Sequence, residues 1–99
     1  MRRVAALAVV ATAVGLLGAC TPDQTDYKHE AESFIKGDER VPAATGTTFT
    51  KAECTPPANT KVGTKYSCVA VAADGTTWDF AVQITAKNRF EIVDYKARV

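Results

Sequence analysis

The hydrophobic and polar residues of this chain follow three patterns in turn. Residues 4–17 form an almost unbroken apolar run without a charge. Residues 26–36 then repeat apolar side chains at intervals of three and four, the spacing of one helical face. Further along, apolar and polar residues alternate, which is typical of half-buried strands. This order predicts an apolar leader, a short amphipathic helix and a β-rich remainder.

Two β-rich runs, residues 65–73 and 76–86, are joined by an Asp-Gly pair at 74–75. Asp-Gly is a favoured pair for the two central residues of a hairpin turn. A two-residue turn at this place pairs Val71 with Trp78. The pattern therefore predicts an antiparallel hairpin whose register is set by its turn.

This register divides the side chains of the hairpin between a face of large residues and a face of small ones. The large-residue face carries Val69, Val71, Trp78, Phe80, Val82 and Ile84. The small-residue face carries Cys68, Ala70, Ala72, Asp79, Ala81 and Gln83. A one-sided sheet needs a cover for its apolar face. We expect the stripe of the predicted helix to cover the large residues; it consists of Tyr27, Ala31, Phe34 and Ile35.

The other segments complete a small α+β fold. Residues 38–46 are charged and contain a proline, so they are predicted to form a loop, and residues 47–54 a first strand. Pro56 and Pro57 cannot continue that strand because proline lacks the N–H donor. We expect one N-terminal helix on a three- or four-stranded antiparallel sheet.

The register of the last hairpin stays open. After a turn near Lys87–Arg89, a two-residue connection places Val93 and Tyr95 on the large-residue face. A three-residue connection places Phe90 and Ile92 there instead.

Composition limits the partners of the protein. The 99 residues, 46% of them hydrophobic, suffice for one small domain. Removal of residues 1–19 leaves 10 basic and 11 acidic residues, a net charge of −1. No basic stripe interleaved with aromatic residues remains, which argues against nucleic-acid binding.

The first twenty residues have the layout of an export signal. Arg2 and Arg3 precede an apolar run that is too short to span ~30 Å of hydrocarbon. The run ends in Leu17-Gly18-Ala19-Cys20, which resembles the lipobox of bacterial lipoprotein signal peptides. That resemblance implies that Cys20 is acylated and becomes the new N-terminus, on the outer face of the cell membrane. The predicted organisation is a signal peptide at 1–19, a lipidated cysteine and tether at 20–25, and a domain at 26–99.

With Cys20 bearing lipid, two cysteines remain, and an exported address is oxidising. We predict a disulfide between Cys54 and Cys68 that closes a loop over the two prolines. A redox-active pair is the alternative, but the C-x-x-C spacing is absent. A metal site is not expected, since His29 is the only histidine.

One stretch is similar to a known family. It comprises Cys54-Thr55-Pro56, Gly63, Tyr66-Ser67-Cys68, Asp74-Gly75 and the alternating residues 78–84. It resembles small actinobacterial cell-envelope lipoproteins of unknown activity, with a lipobox, a helix and a disulfide-bonded β module. The resemblance spans about residues 26–96 and departs at Thr55, where the family usually has proline. It implies the fold and the disulfide, and it brings no catalytic residues.

No residue set in the sequence indicates catalysis or a cofactor. Ser33 and Ser67 lack a partner histidine, and the glycines are isolated. Asp79 with Glu53 across the sheet is the one arrangement that would suit acid–base chemistry, and an ordinary exposed face would look the same. We therefore expect a membrane-anchored binding module that is not an enzyme, with a protein or wall component of the envelope as partner.

The expected interaction surface combines the small-residue face with the proline loop. Its candidate residues are Tyr66, Pro56, Pro57, Ala70, Ala81 and Asp79. The alternative function is carriage of a small apolar, lipid-like ligand in the seam between helix and sheet.

Overall fold

The computed structural model describes residues 9–12 and 22–98, in which two helices accompany one antiparallel sheet. The helices are α1 (Gln24–Gly37) and α2 (Arg40–Thr45). The strands are β1 (Val9–Thr12), β2 (Phe49–Cys54), β3 (Lys65–Ala72), β4 (Thr77–Ala86) and β5 (Arg89–Ala97), in the spatial order β1-β5-β4-β3-β2. Four strands thus belong to residues 22–98. The predicted α+β class, with one main helix on an antiparallel sheet, is confirmed.

Helix α1 begins earlier than its apolar stripe suggested. Asp23 is the N-cap, and its side chain accepts a hydrogen bond from the backbone N–H of Asp26 at 2.9 Å. The carboxylate of Asp26 accepts in return from the N–H of Asp23, which completes a capping box. The helix therefore includes Gln24 and Thr25, which were predicted to belong to the tether at 20–25.

Residues 38–46, predicted as a loop, contain the short helix α2. Pro42 is its third residue, where a backbone N–H has no partner within the helix in any case, so proline is tolerated. Gly46 ends the helix in the left-handed conformation, with φ of 83°. Val41 is buried and joins the helix to the core. The loop prediction was wrong because charged residues and a proline are also compatible with the first turn of a short helix.

The turn between β3 and β4 has three residues, not two. Gly75 donates its N–H to the carbonyl of Ala72 at 2.9 Å, and Ala72 donates to Thr76 at 2.8 Å. The residues between Ala72 and Thr76 thus form a turn that ends with Gly75 in the left-handed region, at φ of 90°. The Asp74 carboxylate supports it by accepting from the N–H of Thr76.

The extra turn residue moves the register by one position, so that Ala70 lies opposite Trp78 and Cys68 opposite Phe80. The predicted division into faces was therefore wrong for β3, since a slip of one residue exchanges all its side chains. The covered face carries Tyr66, Cys68, Ala70, Ala72, Phe80, Val82 and Ile84. The open face carries Val69, Val71, Thr77, Asp79, Ala81 and Gln83.

The last hairpin combines the two alternatives that the sequence left open. Its turn has Asn88 in the left-handed conformation at φ of 63°. A register shift then leaves Val93 as an extra residue in β5. A separate register shift, at Thr85 of β4, places Phe90 and Ile92 on the covered face, and the bulge at Val93 lets Tyr95 pack on the same core beyond it.

The core joins the helix stripe to aromatic residues of the sheet. Phe34 of α1 meets Phe90 edge to face, with ring centroids 5.8 Å apart. Phe49 packs in the same way on Trp78 at 5.6 Å and on Phe80 at 5.3 Å. Trp78 thus packs against the core, as expected.

Strand β1 lies inside the apolar run predicted as a leader. Its backbone pairs with β5 from Val9 opposite Ile92 to Thr12 opposite Arg89. The rest of that run and Cys20 fall outside the described residues. Within the described part of the chain, no helix is long and apolar enough to cross a membrane.

Candidate interaction surface

The disulfide between Cys54 and Cys68 is present, as predicted. The two cysteines face each other directly across β2 and β3, 14 residues apart in sequence. Beyond them, Thr55 donates its N–H to the carbonyl of Ser67 at 2.9 Å. The side chain of Gln24 donates to the carbonyl of Ala58 at 3.0 Å. The loop after β2 is therefore fastened to the sheet and to the start of α1.

Two residues predicted for the interaction surface lie in the core. Tyr66 is 7% exposed, and its hydroxyl donates to the backbone carbonyl of Tyr27 at 3.2 Å. Burial raises the pKa of the Tyr66 phenol, which therefore stays protonated. Ala70 is 0% exposed because the register places it on the covered face. Neither side chain is available to a partner.

The remaining predicted residues divide between two places. Pro56 is exposed in the loop, whereas Pro57 is buried. Ala81 and Asp79 lie half-buried on the open face. The Asp79 carboxylate accepts two hydrogen bonds from Arg98, at 2.8 and 2.9 Å. This guanidinium holds the pKa of Asp79 below its ordinary value.

Val69 occupies the centre of the open face. It pairs with Glu53 on one side and with Asp79 on the other. The valine therefore separates the two carboxylates that were considered for acid–base chemistry. Each carboxylate also forms an ion pair: Lys28 lies 3.0 Å from Glu53, and Arg98 lies 2.8 Å from Asp79. The side chain of Val69 remains 38% exposed.

A shallow groove of about 370 Å³ runs from this valine to the edge of the sheet. Its lining residues are Lys36, Thr50, Lys51, Ala52, Glu53, Val69 and Val71. The register shift between Phe49 and Lys51 leaves Thr50 as the extra residue of β2. Lys36 and Lys51 are exposed and make no ion pair with any described residue. The groove thus offers an apolar floor with cations at its rim.

Helix α1 covers one end of the edge strand β2. The Glu32 carboxylate accepts from the backbone N–H of Cys54 at 2.8 Å and pairs with Lys28. Burial works to raise the pKa of Glu32, but these hydrogen bonds outweigh it and leave the pKa lowered. The helix therefore satisfies an outward-facing donor of the edge strand.

The structure shows where the polar residues considered for catalysis or metal binding lie. No group of three or more His, Cys, Asp or Glu among them is arranged to hold a metal ion. His29 and Ser33 are exposed on α1, and Ser67 is exposed on β3. The seam proposed as a ligand site is occupied by side chains of the protein, since the stripe of α1 is buried against the sheet.

Comparison with known proteins adds nothing further: no family model, curated protein or solved structure matches this chain. The resemblance to envelope lipoproteins stays a prediction from the motifs quoted above.

The sequence did not reveal that Val69 and Val71 lie on the open face, where Val69 is exposed and Val71 is half-buried. The signal that could have done so is Gly75. Placed as the left-handed last residue of a three-residue turn, it shifts β3 by one and turns both valines outward.

Proposed function

We propose that the mature protein is a lipid-anchored interaction module of the bacterial cell envelope. The anchor rests on the lipobox-like sequence Leu17 to Cys20 at the end of an apolar run. Removal of residues 1–19 would take β1 away and leave β5 as an outer strand. The folded part would then consist of residues 22–98, beginning almost directly after the lipid.

The observation that carries the binding function is the groove beside Val69. Exposed apolar surface rimmed by polar residues is typical of protein–protein contact sites. Val69 and Val71 supply its apolar floor, and Lys36 and Lys51 its charged rim. The negative charge of Glu53 is partly compensated because the Lys28 ammonium lies 3.0 Å from its carboxylate. The partner that suits this groove is an acidic segment of an envelope protein with an apolar residue between its carboxylates.

The anchor is tested by mass spectrometry of the protein purified from membranes. A diacylglycerol on Cys20 and loss of residues 1–19 are the expected result. The variant Cys20→Ala should remain unprocessed or leave the membrane. An unmodified Cys20 in the mature protein contradicts the anchor.

The groove is tested by photo-cross-linking in the cell that makes the protein. A cross-linking amino acid at Val69 should give one reproducible adduct, whereas the same amino acid at exposed Ala73 in the β3–β4 turn should not. The variant Lys51→Glu should weaken binding of the purified partner at least tenfold if the partner is acidic. The same adduct from both positions, or none from Val69, contradicts this surface.

A further inference from the structure

The domain begins very close to the proposed anchor. Pro22 is already buried, and Asp23 caps α1. Only Thr21 therefore lies between Cys20 and the folded domain. Since an extended residue spans at most ~3.6 Å, the two residues from Cys20 to Pro22 can bridge no more than about 7 Å. A lipid on Cys20 would hold the start of α1 at the membrane surface.

Two other segments lie at this end of the molecule, which we call the anchor end. The loop at residues 55–64 joins it because Gln24 donates a hydrogen bond to the carbonyl of Ala58 at 3.0 Å. The β4–β5 turn joins it because Asn88 donates its N–H to the hydroxyl of Tyr27 at 3.2 Å. Whatever faces the membrane must therefore include this loop and this turn.

The loop presents an apolar side chain from a fixed support. Val62 is 68% exposed, whereas Val69, the other exposed large apolar residue in the described part of the chain, is 38% exposed. The next residue, Gly63, donates its N–H to the carbonyl of Ile84 at 2.7 Å, and Ile84 donates to Thr64 at 2.9 Å. These bonds fasten the tip of the loop to the end of β4, beside the β4–β5 turn.

The anchor end also presents positive charge. Lys61 in the loop and Lys87 and Arg89 at the turn are exposed, and none forms an ion pair with a described residue. The acidic residues Asp23 and Asp26 lie at the same end. Their carboxylates accept backbone N–H groups at the start of α1, where the helix dipole is positive. Their charge is thus partly compensated within the protein.

We propose that the anchor end binds the anionic membrane surface, with Val62 among the lipid headgroups and the three basic residues on lipid phosphates. This proposal rests on the lipid anchor at Cys20. Basic residues close to an anionic leaflet are attracted to it, and the attraction adds to that of an acyl anchor. The contact fixes the domain upright, since the β3–β4 turn lies at the opposite ends of its two strands. The lipid thus orients the domain as well as retaining it.

The test uses the lipidated protein reconstituted into vesicles of phosphatidylglycerol and phosphatidylcholine. The variant Val62→Cys carries an environment-sensitive fluorophore, and Ala73→Cys, exposed in the β3–β4 turn, is the matched control. Brominated lipids should quench the label at position 62 at least threefold more than the label at position 73. Equal quenching at the two positions overturns the proposal. Failure of both proteins to stay with the vesicles overturns the anchor instead.

A charge variant tests the lipid specificity. Combined Lys61→Glu, Lys87→Glu and Arg89→Glu should reduce quenching at position 62 at least twofold in anionic vesicles. The control Lys96→Glu changes an exposed lysine at the far end of β5 and should have no effect. Unchanged quenching in the triple variant overturns the charge contact. The same quenching in pure phosphatidylcholine as in anionic vesicles overturns it too.

Discussion

The two faces of the sheet bury their side chains to different extents. The covered face packs Phe80 against Phe49, with ring centroids 5.3 Å apart, and its residues are almost fully buried. The open face holds Val69 with 38% of its surface exposed, between carboxylates that pair with cations. Both faces alternate along the same strands, so neighbouring residues differ sharply in environment. The covered face forms the core, and the open face carries the groove on which the proposed binding function rests.

The largest expected effect is a cavity on the covered face. Phe80→Ala removes a ring that is 2% exposed and packs on Phe49 and Tyr95. We expect it to lower the free energy of unfolding by about 3–5 kcal/mol, measured by urea denaturation. Val69→Ala on the open face is the matched control and should cost less than about 1 kcal/mol. Similar losses in both variants would mean that the two faces do not differ in this way.

Removal of the disulfide should have the next largest effect. The Cys54–Cys68 bond closes a loop with a sequence separation of 14 residues. Restriction of the unfolded chain by such a loop is worth about 3 kcal/mol in the chain-entropy model. Cys54→Ser combined with Cys68→Ser should show this loss in urea denaturation. Reduction of the native protein should lower its melting temperature, and an unchanged melting temperature would refute a stabilising role.

Replacement of Gly75, whose conformation sets the register of β3, should lower the stability by a smaller but measurable amount. Gly75 has φ of 90°, and nothing lies within 4 Å of an added Cβ, so Gly75→Ala suffers from backbone strain alone. We expect a loss of about 1–2 kcal/mol. The control Gly37→Ala has equal space at the end of α1 and should be neutral or stabilising. Thermal unfolding of both variants distinguishes them, and equal melting temperatures would contradict the three-residue turn.

The smallest effect is a pH dependence from Glu32, which joins α1 to β2. Its pKa is lowered from the ordinary 4.5, because the hydrogen bonds from Lys28 and the Cys54 N–H outweigh its desolvation. A carboxyl with a lowered pKa stabilises the fold above its unfolded pKa, and the contribution is lost as pH falls through the folded pKa. The stability difference between the native protein and Glu32→Gln should therefore shrink below about pH 4.5. Chemical denaturation from pH 7 to pH 3 measures it, and a constant difference would contradict the shift.

Much of the fold followed from local pattern. The stripe of α1 and the β3–β4 hairpin were predicted to within a few residues, because helix and strand spacing acts over short distances. The disulfide followed from counting cysteines. The candidate surface was predicted less well: Tyr66 and Ala70 are buried, and Val69 was missed. A turn of two or three residues looks almost the same in sequence, yet it decides which side of the strand meets the core.

The sequence by itself determined the α+β class, the helix stripe and the pairing of Cys54 with Cys68, since each depends on residue spacing or number. It also carries the lipobox-like motif, from which the proposed anchor comes. The tertiary structure alone decided which face of β3 is covered, because the three-residue turn at Gly75 sets the register of β3 against β4. It also decided that Phe90, Ile92 and Tyr95 share one core, because the bulge at Val93 realigns the end of β5. Such choices depend on contacts between segments distant in sequence, and no local pattern contains them.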